Sequence, residues 1–300
     1  MLFSDGLRCR AQRWFGRCLM TTVVASAAAC SVLVDSGREQ CATDGDCQKR
    51  GGTFAKAICA NEVCAIEPKW GCVGSVVWPV PPPVGSTPEK VTAKVSLSNL
   101  LTSDVLVGAS ARVCGKLDPT CEFPLQSDVL SNADGVLAVQ VTKFFDGYLE
   151  IKYPDMVNTM YYFNPPVDAD RVVPFVPLVP FTAFDVFGRE LKMMPRADRG
   201  TVIGLTYDCQ GASAEGIELS TDDADEFTTA FYMVQGSPRI DATQTDKSGQ
   251  GGVANVPLGP RLVSGRRSGT GELIGVVSVQ TRALTITYTS MLPTPLSAQK

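Results

Sequence analysis

The sequence Ser131-Asn132-Ala133-Asp134-Gly135-Val136-Leu137-Ala138-Val139-Gln140-Val141 joins a polar turn to a segment of alternating apolar residues. Glycine accepts a positive φ without steric cost, and a nearby Asn or Asp hydrogen-bonds to the local backbone, so Asp134-Gly135 is typical of a tight turn. The alternation after Gly135 is typical of a β-strand with one buried face. The stretch therefore predicts a turn that leads directly into a strand.

A similar pattern occurs again later in the chain. Thr245-Asp246-Lys247-Ser248-Gly249 is a second polar turn, and the short strand-like segment 252–257 follows it. The segment that precedes the first turn, 108–114, is echoed by 211–217 before the second. We therefore predict two copies of one β unit.

Strand patterns fill both units. Segments 91–97 and 136–141 alternate in the first unit, 105–113 is rich in β-forming residues, and 202–207 and 284–289 bound the second unit. Alternation with a period of two predicts sandwiches of sheets. The predicted class is mainly β.

The first unit also contains Phe144-Phe145-Asp146-Gly147-Tyr148-Leu149-Glu150-Ile151. A strand, a Gly-Ala turn, an Asp-Gly turn before a strand and this Phe-Asp-Gly-Tyr-Leu-Glu-Ile segment resemble the carboxypeptidase regulatory-like domains. The resemblance covers residues 91–163 and, with a longer loop at 220–237, residues 200–292. It implies two tandem transthyretin-like β-sandwiches that act as non-catalytic accessory or display modules, with no active-site residues.

The segment between the units contains prolines at 174, 177 and 180. Each proline removes a ladder donor, which excludes a central strand. Thr182-Ala183-Phe184-Asp185 has the spacing of a capping box, and apolar residues follow at helical intervals as far as Met194. We expect one short helix over 183–194, with its apolar face packed on a sandwich.

The N-terminus has the pattern of an export signal. Arg8, Arg10, Arg13 and Arg17 precede the apolar stretch 18–29, which is too short for a membrane-spanning helix. Cleavage after Ala29 by an ordinary signal peptidase leaves Cys30 as a free thiol. The segment Ala27-Ala28-Ala29-Cys30 also resembles a bacterial lipobox, with Ala27 where leucine is commonest, and this resemblance implies a lipidated Cys30.

Cysteine parity favours lipidation. From residue 30 onward the chain has nine cysteines, and an odd thiol is an anomaly in an oxidising compartment. Lipidation of Cys30 leaves eight cysteines for disulfides. The predicted location is the cell envelope, anchored by lipid in the outer membrane or at the cell surface, and the alternative is a periplasmic or secreted protein.

Four of these cysteines lie in a short module with the spacing Cys41-x5-Cys47-x11-Cys59-x4-Cys64. A segment of this size buries too little apolar surface to fold without bridges, and the spacing lacks the paired knuckles of zinc sites. The module resembles the small cysteine-rich modules of exported proteins from myxobacteria and their relatives. We predict four disulfides. Local spacing favours Cys41–Cys59, Cys47–Cys64 and Cys114–Cys121 among the many possible pairings, and Cys72–Cys209 would tie the linker region to the second sandwich.

These patterns divide the chain into eight segments. They are a signal peptide (1–29), a lipid anchor and tether (30–40), the cysteine-rich module (41–72), a Pro-rich linker (73–90), the first β-sandwich (91–163), a linker with a short helix (164–199), the second β-sandwich (200–292) and a tail (293–300).

Catalytic chemistry has few candidates in this sequence. The chain has no histidine, which removes the usual general base and the commonest metal ligand. Gly211-x-Ser213-x-x-Gly216 is one residue too long for a nucleophile elbow, and Ser297-x-x-Lys300 lies at the chain end. We expect no catalytic residue, no cofactor and no metal site.

Charged and aromatic residues indicate possible ligands. The net charge is −4, and without a basic stripe nucleic acid is excluded as a partner. Asp222, Asp223, Asp225 and Glu226 fit a solvated loop better than a calcium site or a carboxylate pair for hydrolysis. A flat aromatic platform would indicate carbohydrate binding, and its candidates are Trp70, Trp78, Tyr161, Tyr162, Phe231 and Tyr232.

The sequence thus predicts a non-catalytic binding or scaffold lipoprotein of the cell envelope. Its partners are the membrane, through the lipid, and a protein or polysaccharide ligand. A carbohydrate-binding module protein and a carboxylate-based hydrolase are the alternatives. The loops 220–226 and 265–271 are the first candidates for ligand contact, because function often lies on loops held by rigid strands.

Overall fold

The structure, a computed structural model, describes residues 41–51, 54, 57–60, 62–66, 69–78, 88–190 and 195–295. The predicted signal peptide, the lipidation residue Cys30, residues 79–87 of the Pro-rich linker and most of the tail lie outside the described residues. Among the described residues, no helix is long and apolar enough to cross a membrane.

The chain is mainly β, as predicted. Its helices are α1 (Asp44–Gln48) and α2 (Phe181–Glu190), and its strands are β1 (Ala57–Ala60), β2 (Val63–Ile66), β3 (Lys90–Asn99), β4 (Ser110–Gly115), β5 (Gln126–Leu130), β6 (Val136–Thr142), β7 (Gly147–Lys152), β8 (Asn158–Tyr162), β9 (Arg171–Leu178), β10 (Arg199–Thr206), β11 (Ile217–Thr221), β12 (Thr229–Val234), β13 (Ser237–Arg239), β14 (Gln250–Pro257), β15 (Gly259–Arg267), β16 (Leu273–Thr281) and β17 (Thr285–Met291).

Four disulfides are present in the described part of the chain. Cys41–Cys59 and Cys47–Cys64 hold α1 against the β1–β2 hairpin. Cys114–Cys121 closes a loop after β4, and Cys72–Cys209 joins the segment before the first unit to the second unit. Each bridge restricts the unfolded chain, and the restriction grows with the length of the closed loop.

One nine-stranded sheet runs through both β units, in the order β13-β12-β14-β10-β17-β8-β7-β4-β5. The last strand, β17, lies in its middle and pairs in parallel with β8 of the first unit and β10 of the second. All other pairings in this central sheet are antiparallel. The two units are therefore joined by a shared sheet.

Two three-stranded sheets pack on opposite faces of the central sheet. The sheet β6-β3-β9 shares a core with Leu149, Tyr161 and Tyr288, and the sheet β11-β15-β16 shares a second core with Tyr148 and Tyr162. Successive side chains of a strand point to opposite faces, so the two cores lie on opposite sides. We call them the first face and the second face.

The repeated turns have the predicted geometry. Gly135 and Gly249 have φ values of 71° and 67°. The Gly135 amide donates to the Asn132 carbonyl and the Gly249 amide donates to the Asp246 carbonyl, each at 2.9 Å. The Asn132 side chain also accepts a bond from the Val136 amide at 2.9 Å. The turn thus sets the start of β6.

Three elements differ from the sequence prediction. The helix α2 begins at Phe181, so Thr182 lies inside its first turn and does not cap it; residues 191–194 of the predicted helix lie outside the described residues. The predicted strand 105–113 is a strand only from Ser110, because Gly108, at a φ of 78°, turns the chain before it. The proline-containing segment forms β9, an edge strand that pairs with β3, in agreement with the exclusion of a central position.

Candidate functional site

The second half of the central sheet carries an open apolar groove on its first face. The sheet β6-β3-β9 covers this face only over the first unit, so beyond the edge of β9 the strands β10, β14 and β12 are left uncovered by a sheet. The helix α2 follows β9 and packs Phe184 and Phe187 against the first core. A groove remains between α2, β9 and the central sheet.

This apolar groove has a volume of about 290 Å³. In the described part of the chain no charged side chain lines it. Concave sites with apolar walls and few polar groups are the usual form of ligand pockets. Its main walls are Phe175, Phe184, Phe187, Ile203, Phe231 and Tyr288.

A polar extension adjoins the apolar groove, with a volume of about 560 Å³. The two share Phe175, Leu205 and Gln250 in their walls. Arg171 lines the extension, and its guanidinium donates to the carbonyls of Pro165 and Pro166 at 2.7 and 3.1 Å. The combined site is thus more polar in the extension than in the apolar groove.

Buried tyrosines form part of both walls as neutral groups. Burial raises the pKa of Tyr161, although a hydrogen bond with Ser290 opposes the shift. Burial alone raises the pKa of Tyr288. Both phenols therefore stay protonated at neutral pH, and the site contains no phenolate for acid–base chemistry.

The mouth of the groove exposes large apolar side chains. Phe175 is 45% exposed and Leu101 is 57% exposed, and both line the groove. A contiguous apolar surface of this kind marks interaction sites in soluble proteins. Sequence reasoning missed this groove, although the alternation of prolines with Val172 and Phe175 signalled an edge strand with an apolar outer side.

Three carboxylates of the acidic loop have different partners. Asp225 pairs with Arg199 at 2.7 Å, Asp223 lies 3.5 Å from Arg261, and the Asp222 carboxylate accepts a bond from the Leu262 amide at 2.8 Å. Among the described residues, no three of these carboxylates converge closely enough to hold one ion. The carboxylates of Asp222, Asp223 and Asp225 each contact a different residue, so each holds a different part of the loop.

The loops expected to contact a ligand are partly strand. Ser220 and Thr221 belong to β11, and Gly265, Arg266 and Arg267 belong to β15. Gly265 is buried, and a Cβ there would meet Met291 at 2.9 Å. Ser220 and Arg266 are exposed although they lie in strands, and the residues beyond the strands are 222–226 and 268–271.

The aromatic candidates do not form a flat platform. Tyr161, Tyr162, Phe231 and Tyr232 are each at most 8% exposed. Trp70 is half-buried against the second core, and Trp78 is also half-buried. Tyr161 and Tyr162 belong to different cores, as expected for neighbours in a strand. The feature that would favour carbohydrate binding is therefore not made by these residues.

One buried carboxylate lies on the second face. Glu150 is surrounded by Arg112, Arg282 and Lys152, at distances from 2.5 to 3.4 Å. Burial raises its pKa, but the hydrogen bonds and positive charges of Arg112 and Arg282 outweigh burial, so the net pKa is below the usual value. An anion held by cations in this way is a weak base, and it serves to join β4, β7 and the turn before β17.

Comparison with known proteins gives distant structural matches alone. No family model and no curated protein sequence matches the chain. The Bacillus anthracis TIE protein is 10% identical over 68% of this chain and 34% of that chain, with a TM-score of 0.24. A streptococcal ancillary pilin is 12% identical over 68% of this chain and 63% of that chain, with a TM-score of 0.24. The major pilin subunit BcpA of Bacillus cereus is 8% identical over 69% of this chain and 100% of that chain, with a TM-score of 0.25. This chain therefore spans less than two thirds of the length of the TIE protein and of the ancillary pilin.

Proposed function

We propose that this chain is a non-catalytic binding protein of the cell envelope and that the apolar groove is its binding site. The observation that carries the proposal is the uncovered first face of β10, β14 and β12, which presents a concave apolar wall beside exposed Phe175 and Leu101. Exposure of such an apolar surface to water is unfavourable in free energy, and a bound ligand that buries it would remove this cost. The walls supply no paired acid and base, in keeping with binding.

The proposed attachment to the envelope is a lipid on Cys30. The lipobox-like sequence and the even number of remaining cysteines support it, as does the pairing of all eight in disulfides. The resemblance to carboxypeptidase regulatory-like domains points in the same direction, towards a display or accessory role. In this arrangement the cysteine-rich module lies between the anchor and the β units.

Binding of an apolar probe tests the groove. We expect 1-anilinonaphthalene-8-sulfonate to bind the exported chain and to shift the methyl resonance of Met233, which lines the groove. The methyl resonance of Met291, which is 1% exposed in the second core, should not move. The double variant Leu101→Asp/Phe175→Asp should weaken binding at least about tenfold, or about 1.4 kcal/mol.

The matched control is Leu262→Asp. Leu262 is 47% exposed, close to the 57% of Leu101, but it lies on β15, away from the groove. This control should bind the probe like the unmodified chain. Equal binding by the groove variant, or a shift of Met291 without one of Met233, would show that the groove is not the site.

A further inference from the structure

A rigid loop on the second face displays apolar side chains to solvent. It comprises residues 116–125, between β4 and β5, and we call it the disulfide loop. Leu117 is 97% exposed, Phe123 is 77% exposed and Leu125 is 63% exposed. Side chains this exposed bury little apolar surface within the domain, so packing alone does not explain them.

The disulfide loop is held in one conformation by five contacts. Cys114–Cys121 closes it, and the Asp118 carboxylate accepts bonds from the Glu122 and Phe123 amides at 2.9 and 2.8 Å. The Tyr148 hydroxyl donates to the Asp118 carbonyl at 2.6 Å. Arg282 donates to the Pro119 carbonyl at 2.7 Å. A loop fixed in this way loses little conformational entropy when it docks, which favours binding.

The disulfide loop and the apolar groove lie on opposite faces of the central sheet. Cys114, Cys121 and Tyr148 belong to the core of the second face. Ile286 and Tyr288, which line the groove, belong to the core of the first face. In a symmetric dimer the same patch of both copies forms the contact. The loop and the groove are different surfaces on opposite sides of the molecule, so they would join copies head to tail instead.

The charges beside the two surfaces have opposite signs. Glu122 precedes the exposed Phe123 and is itself exposed, and no described residue pairs with its carboxylate in an ion pair. Arg189 follows Gly188 of the groove wall, and it too is exposed and has no ion pair with a described residue. Opposite charges at the rims of two apolar surfaces favour their encounter and fix the register.

We propose that the occupant of the apolar groove is the disulfide loop of a second copy of this chain, with Leu117 and Phe123 inserted between α2 and the central sheet. This inference rests on the proposed function, because it names the partner of the same groove. The contact is heterologous, so each copy offers one free loop and one free groove, and the association continues beyond a dimer. The contact is small, so the association is weak and depends on concentration.

Sedimentation equilibrium of the exported chain tests this inference, with Cys30→Ser added so that no lipid drives association. At concentrations up to about 1 mM, we expect the average mass to exceed that of a dimer. The loop variant Leu117→Ser/Phe123→Ser and the groove variant Leu101→Asp/Phe175→Asp should each stay monomeric. The control Leu262→Asp should associate like the unmodified chain.

Mixing the two variants gives the decisive result. The loop variant keeps an intact groove and the groove variant keeps an intact loop, so a mixture can form one junction and no second one. We expect the mixture to stop at a dimer. Charge exchange is a second test: Glu122→Lys and Arg189→Glu should each weaken association at least about fivefold, and the double variant should regain most of it.

Several outcomes overturn the inference. If the chain is monomeric at every concentration tested, the inference is wrong. If the apolar probe still binds the groove in that case, the proposed function stands without self-association. Association of the loop variant as strong as that of the unmodified chain also overturns the inference. Binding to vesicles of zwitterionic phosphatidylcholine is the last measurement. If a monomeric chain binds them and the loop variant does not, the exposed side chains of the loop contact a lipid surface and the inference is wrong.

Discussion

Arg282 Nη1 lies 3.2 Å from the Glu150 carboxylate, across the boundary between the two β units. Glu150 belongs to β7, and Arg282 lies in the turn that leads from β16 into β17. The Arg282 guanidinium also donates to the Tyr148 hydroxyl at 2.7 Å. This contact brings the turn before the last strand onto the first unit, where β17 pairs with β8.

Replacement of this carboxylate should lower stability at neutral pH. Glu150→Gln removes the charge that balances Arg112 and Arg282 in a site where the Glu150 side chain is 8% exposed, and we expect a loss of about 2 kcal/mol in the free energy of unfolding. Urea unfolding measures it. The control Glu89→Gln, in which an exposed pair with Lys143 is lost, should cost less than about 1 kcal/mol.

The contribution of Glu150 to the free energy of unfolding should decrease as the pH falls. The pKa of Glu150 is lowered in the folded chain, so its stabilisation is complete above the pKa of an unfolded Glu, about 4.3, and is lost as the pH falls through the lower folded-state pKa. The difference between the unmodified chain and Glu150→Gln should therefore shrink when urea unfolding is repeated at decreasing pH below about 4. A difference that stays constant would contradict this.

The turn glycines should differ from each other in tolerance to alanine. At Gly135 a Cβ would lie 2.9 Å from the Leu97 carbonyl oxygen, and at Gly108 nothing lies within 4 Å, although both have a positive φ. We expect Gly108→Ala to cost about 1 kcal/mol, from backbone strain alone. Gly135→Ala should cost at least about 1 kcal/mol more, as measured by urea unfolding, because the backbone must also move. Similar losses would contradict the close approach.

The long disulfide should contribute more than the short one. Cys72–Cys209 joins residues 137 apart and Cys114–Cys121 joins residues 7 apart. In the chain-entropy model the two contribute about 5 and about 2.5 kcal/mol. Removal of each pair as a double Cys→Ala variant should therefore lower the thermal midpoint more for the long bridge. Non-reducing peptide mapping that finds Cys72 and Cys209 as free thiols would remove the prediction.

The envelope anchor has its own test. Cys30→Ser should move the protein from the detergent phase to the aqueous phase in phase partitioning, because the lipid supplies the membrane affinity. The processed protein should also lose the mass of the lipid. Unchanged partitioning would place the anchor elsewhere.

Sequence alone determined the local structure of this protein. Asp134-Gly135 and the polar turn before Gly249 set tight turns, because few residues other than glycine accept a positive φ, and the alternation after each turn set a strand. Prolines kept β9 at a sheet edge because they lack a donor. Cysteine spacing favoured the pairs that the structure contains, since a short chain segment leaves few partners within reach.

Only the tertiary structure decided how the units join and where the groove lies. The strand β17 pairs with β8, whose Asn158 is the partner of Thr285, and with β10, whose Thr201 is the partner of Ile286. No local pattern specifies which strands become neighbours over such sequence distances. The same pairing joins both halves in one sheet, and the position of β9 and α2 then leaves the first face of β10, β14 and β12 open. Phe231, a platform candidate in the sequence, and Tyr288, in the predicted strand 284–289, become groove walls because long-range packing sets which face is covered.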